Sequence, residues 1–212
     1  MPIDLKTYTN PKKTAILVCD SDNYHLAKSG PVAIPELRDI AFQRGIIPKM
    51  AALNDAARHA GGKIFYRRML RWPNSAGAIH NTPMARALAK TNSADLTLGS
   101  KSLEIIPDLA PQPGDFFYEI SHGAMTSFHD SGLDSLLRNM GIETVIPIGV
   151  SINVAIVGAT IEAVNRNYKC IVPMDCVSGV PADYGDAVLQ HTIRALAIVT
   201  SSEQIASAWN AG

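Results

Sequence analysis

The stretch Thr144–Glu162, TVIPIGVSINVAIVGATIE, constrains the fold more than any other part of the chain. Its opening run, Val145 to Ile148, is apolar and β-branched, as expected of a strand buried on both faces of a parallel sheet. Gly149 breaks the run, and Ser151 or Asn153 can then cap a helix reaching about Asn165. In an open α/β sheet, such a strand-to-helix turn at the carboxyl ends of the strands is where ligands bind. The helix also aims its unpaired N–H groups and positive dipole end at that place. A thiol in its first turn would be held as thiolate, but this chain has Ala155 there.

The rest of the chain repeats the strand-then-helix pattern. Thr14 to Cys19 is a continuous apolar run of strand length that ends in the polar cluster Asp20-Ser-Asp-Asn23. A loop containing glycine and proline follows, then a helical pattern from Ile46 to Ala60, stopped by Gly61-Gly62. Lys63 to Arg67 is a second strand, and Arg68 to Pro83 is a long irregular stretch of the kind that is functional or a lid in a compact domain. Met84 to Lys90 predicts a short helix, Phe116 to Ile120 a third strand, and Gly132 to Met140 a helix with Leu133, Leu136 and Leu137 on one face. After the central unit come a strand over Tyr168 to Asp175, a helix that Asp183 can cap and that reaches about Leu196, and a strand over Ala197 to Thr200. Ser201 and Gln204 have capping-box spacing for a last helix ending near Trp209.

Six alternations argue for one domain over residues 1–212, with 1–13 as a polar lead-in. The architecture expected is a three-layer α/β sandwich around a six-stranded, mainly parallel sheet, doubly wound in the Rossmann-like manner. No GxGxxG follows the first strand and no Walker A loop is present, so neither nucleotide fingerprint applies.

A formal net charge of zero argues against a nucleic-acid or anionic-membrane partner and permits self-association. No apolar run reaches the roughly 18 residues of a membrane span. The start, MPIDLKTYTNPKKT, lacks the apolar core of a signal peptide, and Cys19, Cys170 and Cys176 form no CxxC pair. A reduced, cytoplasmic protein is the expectation.

The motifs LVCDSDN, TSFHDSGLDSLLRNMGIETVIPIGVSINVAIVGATIEA and IVPMDCVSG resemble the isochorismatase-like hydrolases of the cysteine hydrolase superfamily, over roughly residues 12 to 200. The resemblance implies a parallel α/β sheet, a homo-oligomer (dimer or tetramer) and a small-molecule substrate; the expectation for cofactors and metals is none. Many members cut amide C–N bonds with an Asp, a Lys and a Cys; a minority cleave a vinyl ether, some without the cysteine. Carried over residue by residue, Asp20 takes the aspartate's place and Asn23 matches, while Asp22 stands where the family has glutamine. Direct spacing puts His122 at the lysine position, or Ser121 with one inserted residue, and Ala155 at the cysteine position.

Asp20, a carboxylate ending an apolar strand, suits a general acid or base, and His122 can carry a proton beside it. Arg67 or Arg68 can hold a substrate carboxylate, and Trp72 can roof a pocket. Phe128, Ser151 and Ala155 complete the expected substrate site with Asn23. Cys176, at the end of the fifth strand, is a weaker candidate nucleophile. Asp22 and His25 are close in sequence, yet their spacing does not make a metal site. The function expected is cysteine-independent hydrolysis by Asp20 chemistry, of a vinyl ether or related bond. The alternatives are a catalytically inactive ligand- or partner-binding member and an amide hydrolase with a relocated nucleophile.

Overall fold

The computed structural model describes residues 4–91, 95–121 and 124–210. Its strands are β1 (Thr14–Cys19), β2 (Lys63–Leu70), β3 (Phe116–Ser121), β4 (Thr144–Val150), β5 (Lys169–Pro173), β6 (Val177–Ser178) and β7 (Ile198–Thr200). The six longer ones run in the order β3-β2-β1-β4-β5-β7, with every pairing parallel. The two-residue β6, which no sequence pattern announced, pairs with the end of β4 beyond the point where β5 leaves it. The expected α/β sheet is thus present, and its strand order reverses between β1 and β4.

β1 is buried along its whole length because helices cover both faces. Ala15, Leu17 and Cys19 point to one face, where Leu133–Asn139 and the helix after β4 supply Leu137, Ile156 and Ala163. Ile16 and Val18 point to the other, against Leu37 and Ala41 of Pro35–Gln43, Met50 and Leu53 of Ile46–Ala60, and Ile205 of Ser202–Asn210. Those layers set β1 and β4 rigidly at the centre.

Three local expectations need correction. The loop before Ile46 contains a helix, Pro35–Gln43, started by Pro35 in its first turn, where a missing N–H costs nothing. Neither Ser151 nor Asn153 caps the helix after β4 with its side chain. The turn Ile152–Ile156 is a wide π-type turn instead, whose Val154 and Ile156 amides donate to the Ser151 carbonyl at 3.3 and 3.1 Å. Asp183 lies inside the first turn of Ala182–Ala187, after Pro181, rather than capping it. The capping box at the last helix is as expected: Ser201 Oγ accepts from the Gln204 amide at 3.2 Å, and Gln204 Oε1 accepts from the Ser201 amide at 3.3 Å. Among the described residues no helix is long and apolar enough to cross a membrane.

Candidate active site

Where β1 ends, Asp20 adopts a left-handed conformation (φ 48°), which turns the chain out of the sheet. Two residues later Asp22, itself buried, caps the short helix Asn23–Leu26. Its Oδ1 accepts from the His25 amide at 3.2 Å and from His25 Nδ1 at 2.7 Å. On the adjacent strand, Arg67 lies one residue past Tyr66, the partner of Val18, so it comes up beside Asp20. Arg67 is 4% exposed and donates to Asp20 Oδ2 at 3.4 Å and to the Ala124 carbonyl at 3.2 Å. Burial disfavours its charge, but Asp20 together with Cys19, Tyr118 and Asp22 outweighs that and holds the guanidinium above its usual range.

The opposite wall comes from the end of β4. Gly149 (φ 109°) presses against the Cys19 carbonyl, and the Val150–Ser151 peptide is cis. Ser151, Val154 and Ala155 then line the same cavity as Asp20 and Arg67. The cavity, ≈ 90 Å³, admits only a small molecule. Its remaining lining is sharply divided. Ile34, Leu37, Met69, Ile79, Met84 and Leu88 are apolar, while Tyr24, His25 and Arg71 add polar groups beside Asp20 and Arg67. Among the described residues, the Tyr24 hydroxyl and the Nε atoms of Arg67 and Arg71 are buried without a hydrogen-bond partner. Unsatisfied donors of that kind around a cavity are what a polar ligand would complete.

The structure therefore brings Asp20, Arg67, Ser151 and Ala155 together as the sequence implied. It does not do so for three others. Asn23 donates to the Lys101 carbonyl at 2.9 Å and pins that loop, outside the cavity lining. Trp72 is 65% exposed and does not line the cavity, whereas Ile79, Met84 and Leu88, farther along the chain, do. Phe128 is buried core, 6.0 Å from the Tyr168 ring, with Arg166 over its face. His122 lies outside the described residues. Arg68, the alternative to Arg67, pairs with Glu119 at 2.7 Å and stacks on Phe117, away from the cavity.

Cys19, Cys170 and Cys176 are all buried, and none lines the cavity. Burial pushes each thiol up, Cys170 to about 12, which removes the thiolate a nucleophile needs. A relocated nucleophile at Cys176 finds no support there. Among the described residues, no group of three or more His, Cys, Asp or Glu side chains is placed to hold a metal ion.

Sequence reasoning missed His25, Tyr24 and Arg71 as lining residues. A signal for the first was available: an N-cap aspartate after a strand, followed three residues on by histidine, puts the imidazole within reach of the capping carboxylate.

Residues 14–204 match the family description "Isochorismatase domain". The chain is 26% identical over 194 residues to ureidoacrylate amidohydrolase RutB of Rhizobium rhizogenes, covering 86% of this chain and 76% of that protein. It is similar to the crystal structure of N-carbamoylsarcosine amidase from Thermoplasma acidophilum, at TM-score 0.68 and 25% identity over 90% of this chain and 97% of that one. A cysteine hydrolase from Pseudomonas syringae pv. phaseolicola has the same fold, with TM-score 0.75 at 24% identity over 95% and 94% of the two chains. A strand order that reverses at a small cavity, an aspartate at the end of β1 and a domain match over almost the whole length agree: the chain belongs to the isochorismatase family.

Proposed function

We propose that this chain hydrolyses a small organic molecule by acid–base chemistry centred on Asp20, without a cysteine nucleophile, cutting a vinyl ether or a related C–O or C–N bond. The observation that carries this reading is the lining of one cavity. Asp20 and Arg67 share it, position 155 presents only a methyl group to it, and no cysteine reaches it.

Arg67 fixes Asp20 Oδ2, which leaves Oδ1 to meet a substrate or a water molecule. A vinyl ether fits such a site. A proton adds to the terminal carbon, water's oxygen bonds to the resulting cationic carbon, and water's proton passes to Asp20. Asp20 then gives that proton to the departing oxygen as the C–O bond breaks, and takes up the hemiketal O–H proton as the carbonyl forms. No thiolate enters at any stage. Arg71 and the Tyr24 hydroxyl suit a carboxylate on the substrate, and the apolar lining suits its carbon skeleton. Two amides that a free helix N-terminus would offer an anion, those of Val154 and Ile156, are instead spent on the Ser151 carbonyl. Anion support in this reading falls to the arginines.

The test is turnover of vinyl ethers, isochorismate included, and of small ureido compounds and amides, ureidoacrylate included, by wild type and Asp20→Asn side by side. Turnover that vanishes in the variant supports the reading, and full turnover in the variant refutes it. One observation favours a second reading, an inactive ligand-binding member: Arg67 spends two donors within the protein, as a structural pair would. Ligand-induced thermal shifts with no turnover across the panel would select it.

A further inference from the structure

One wall of the cavity carries a histidine, paired with a buried carboxylate behind it, that the proposed chemistry has not used. This is His25, whose side chain is 11% exposed while that of its partner Asp22 is 1% exposed. A carboxylate only accepts hydrogen bonds, so the 2.7 Å contact requires a proton on His25 Nδ1. The ring is thereby fixed in orientation, and Nε2 is its remaining nitrogen. No hydrogen bond to Nε2 exists among the described residues.

We propose that His25, oriented and charged by Asp22, is the group that gives a proton from Nε2 to the bound substrate, while Asp20 accepts one from the attacking water. This rests on the hydrolase reading above and assigns its acid. In the step, the Nε2–H bond breaks as the proton joins the terminal vinyl carbon or, in a C–N substrate, the departing nitrogen. Water's oxygen bonds to the electrophilic carbon and its proton goes to Asp20. In the vinyl ether the C–O bond then breaks as Asp20 gives a proton to the departing oxygen and takes the hemiketal O–H proton. In a C–N substrate the C–N bond breaks as the carbonyl re-forms. Return of that proton from Asp20 to Nε2 through solvent restores both groups, so atoms and charges balance over a turnover.

The surroundings favour the charged ring. Burial works against it, but Asp22 and then Asp20 outweigh burial and the nearby Arg67, so His25 titrates above an ordinary histidine. From the other elements, β1 contributes Asp20, β2 contributes Arg67, and Arg71 follows β2. The Tyr24 ring stands edge-on at 4.7 Å. The apolar lining presents Leu37, Ile79, Met84 and Leu88, none of them titratable. A cationic acid beside a basic carboxylate divides the two proton transfers between two groups.

The experiment is an NMR titration of ring-labelled histidine, with the His25 signal assigned by its loss in His25→Gln, together with pH profiles of turnover on whichever panel compound the wild type cuts. Expected are a His25 titration above the free imidazole value and a fall to or below it in Asp22→Asn. The alkaline limb of kcat/KM should sit at the same pH and move with the titration, with kcat reduced more than KM is raised. A His25 that titrates at or below the ordinary value overturns the proposal and leaves Asp20 chemistry standing if Asp20→Asn is still inactive. A limb that stays put while the titration moves also overturns it. Absence of wild-type turnover refutes the hydrolase reading and the donor role together, and the titration alone shows whether the pair itself was misjudged.

Discussion

Gly149→Ala tests whether the β1–β4 junction is as tight as the site requires. A methyl group built on Gly149 falls 2.1 Å from the Cys19 carbonyl oxygen and 3.1 Å from its carbon. That is roughly 1 Å or more inside the normal contact distance. Cys19 and Gly149 are register partners in adjacent strands, and paired strands hold a spacing of about 4.8 Å, so the ladder cannot absorb the shift without opening. Overpacking of this kind costs about 1–3 kcal/mol. Placing alanine at φ 109° adds about 1–2 kcal/mol of backbone strain. The sum, about 2–5 kcal/mol, lowers Tm by on the order of 10 °C in a chain of this length.

Gly132→Ala separates the two contributions, because Gly132 also has a positive φ (68°) but nothing within 4 Å of the added carbon. It should lose only the backbone share, about 1–2 kcal/mol. Urea unfolding followed by fluorescence reads both variants, with Trp209 as the core reporter, since it is buried and donates to the Thr9 carbonyl at 2.8 Å. Turnover should fall as well, by up to about a hundredfold, because Asp20 follows the displaced Cys19 directly and misplacement by about 1 Å can cost that much. If Gly149→Ala loses no more stability than Gly132→Ala, the close packing of β1 on β4 is wrong and with it the placement of Asp20.

Other outcomes follow from the same geometry. A thiol reagent should find almost no reactive cysteine in the native protein and three after unfolding, and prolonged alkylation at pH 8 should leave turnover unchanged. Loss of turnover in step with labelling would refute the cysteine-free mechanism. The Asp22–His25 pair also predicts a pH-dependent stability. His25 is raised above its unfolded value, so its contribution is fully present below about pH 6.5 and is lost as pH rises through the folded value. Asp22→Asn keeps the helix cap but removes the charge, so its deficit in unfolding free energy against wild type should be larger at pH 5.5 than at pH 9.5. Equal deficits at the two pH values would show that the pair is not charged.

What the sequence revealed of the fold was what neighbouring residues decide. β1 and the helix Ile46–Ala60 match their expected bounds because an unbroken apolar run and a periodic one, each with its stop signal, are local facts. The last helix starts where the Ser201–Gln204 spacing put it for the same reason. Pro35–Gln43 went unseen because Gly30, Pro31 and Pro35 read together as loop. Only Pro35 lies in the helix, and there it favours the first turn. β6 has two residues, and it is a strand only because β4 outruns β5 and leaves partners for it. No local pattern encodes that.

The candidate site divides along the same line. Asp20, Ser151 and Ala155 sit at ends of elements, so a correct fold class was enough to place them. Trp72 and Phe128 depended on which way a side chain faces. Packing decided that: Phe128 belongs to the core against Tyr168, and the residues that line the cavity after β2 are Ile79, Met84 and Leu88 farther along the chain. The positive charge beside Asp20 is the most instructive case. A motif comparison looks for it after β3, where the family lysine belongs, and so arrives at His122. The parallel register offers two other sources, one step across the sheet at Arg67 and one turn along the chain at His25. Arg67 meets Asp20, and His25 reaches the same cavity while paired with Asp22, because β1 ends where the strand order reverses and a cavity there collects side chains from β2, from Asn23–Leu26 and from the turn after β4. Which side chains stand around Asp20 is thus decided by strand register and by the turn that follows β1, and a motif read along the chain samples neither.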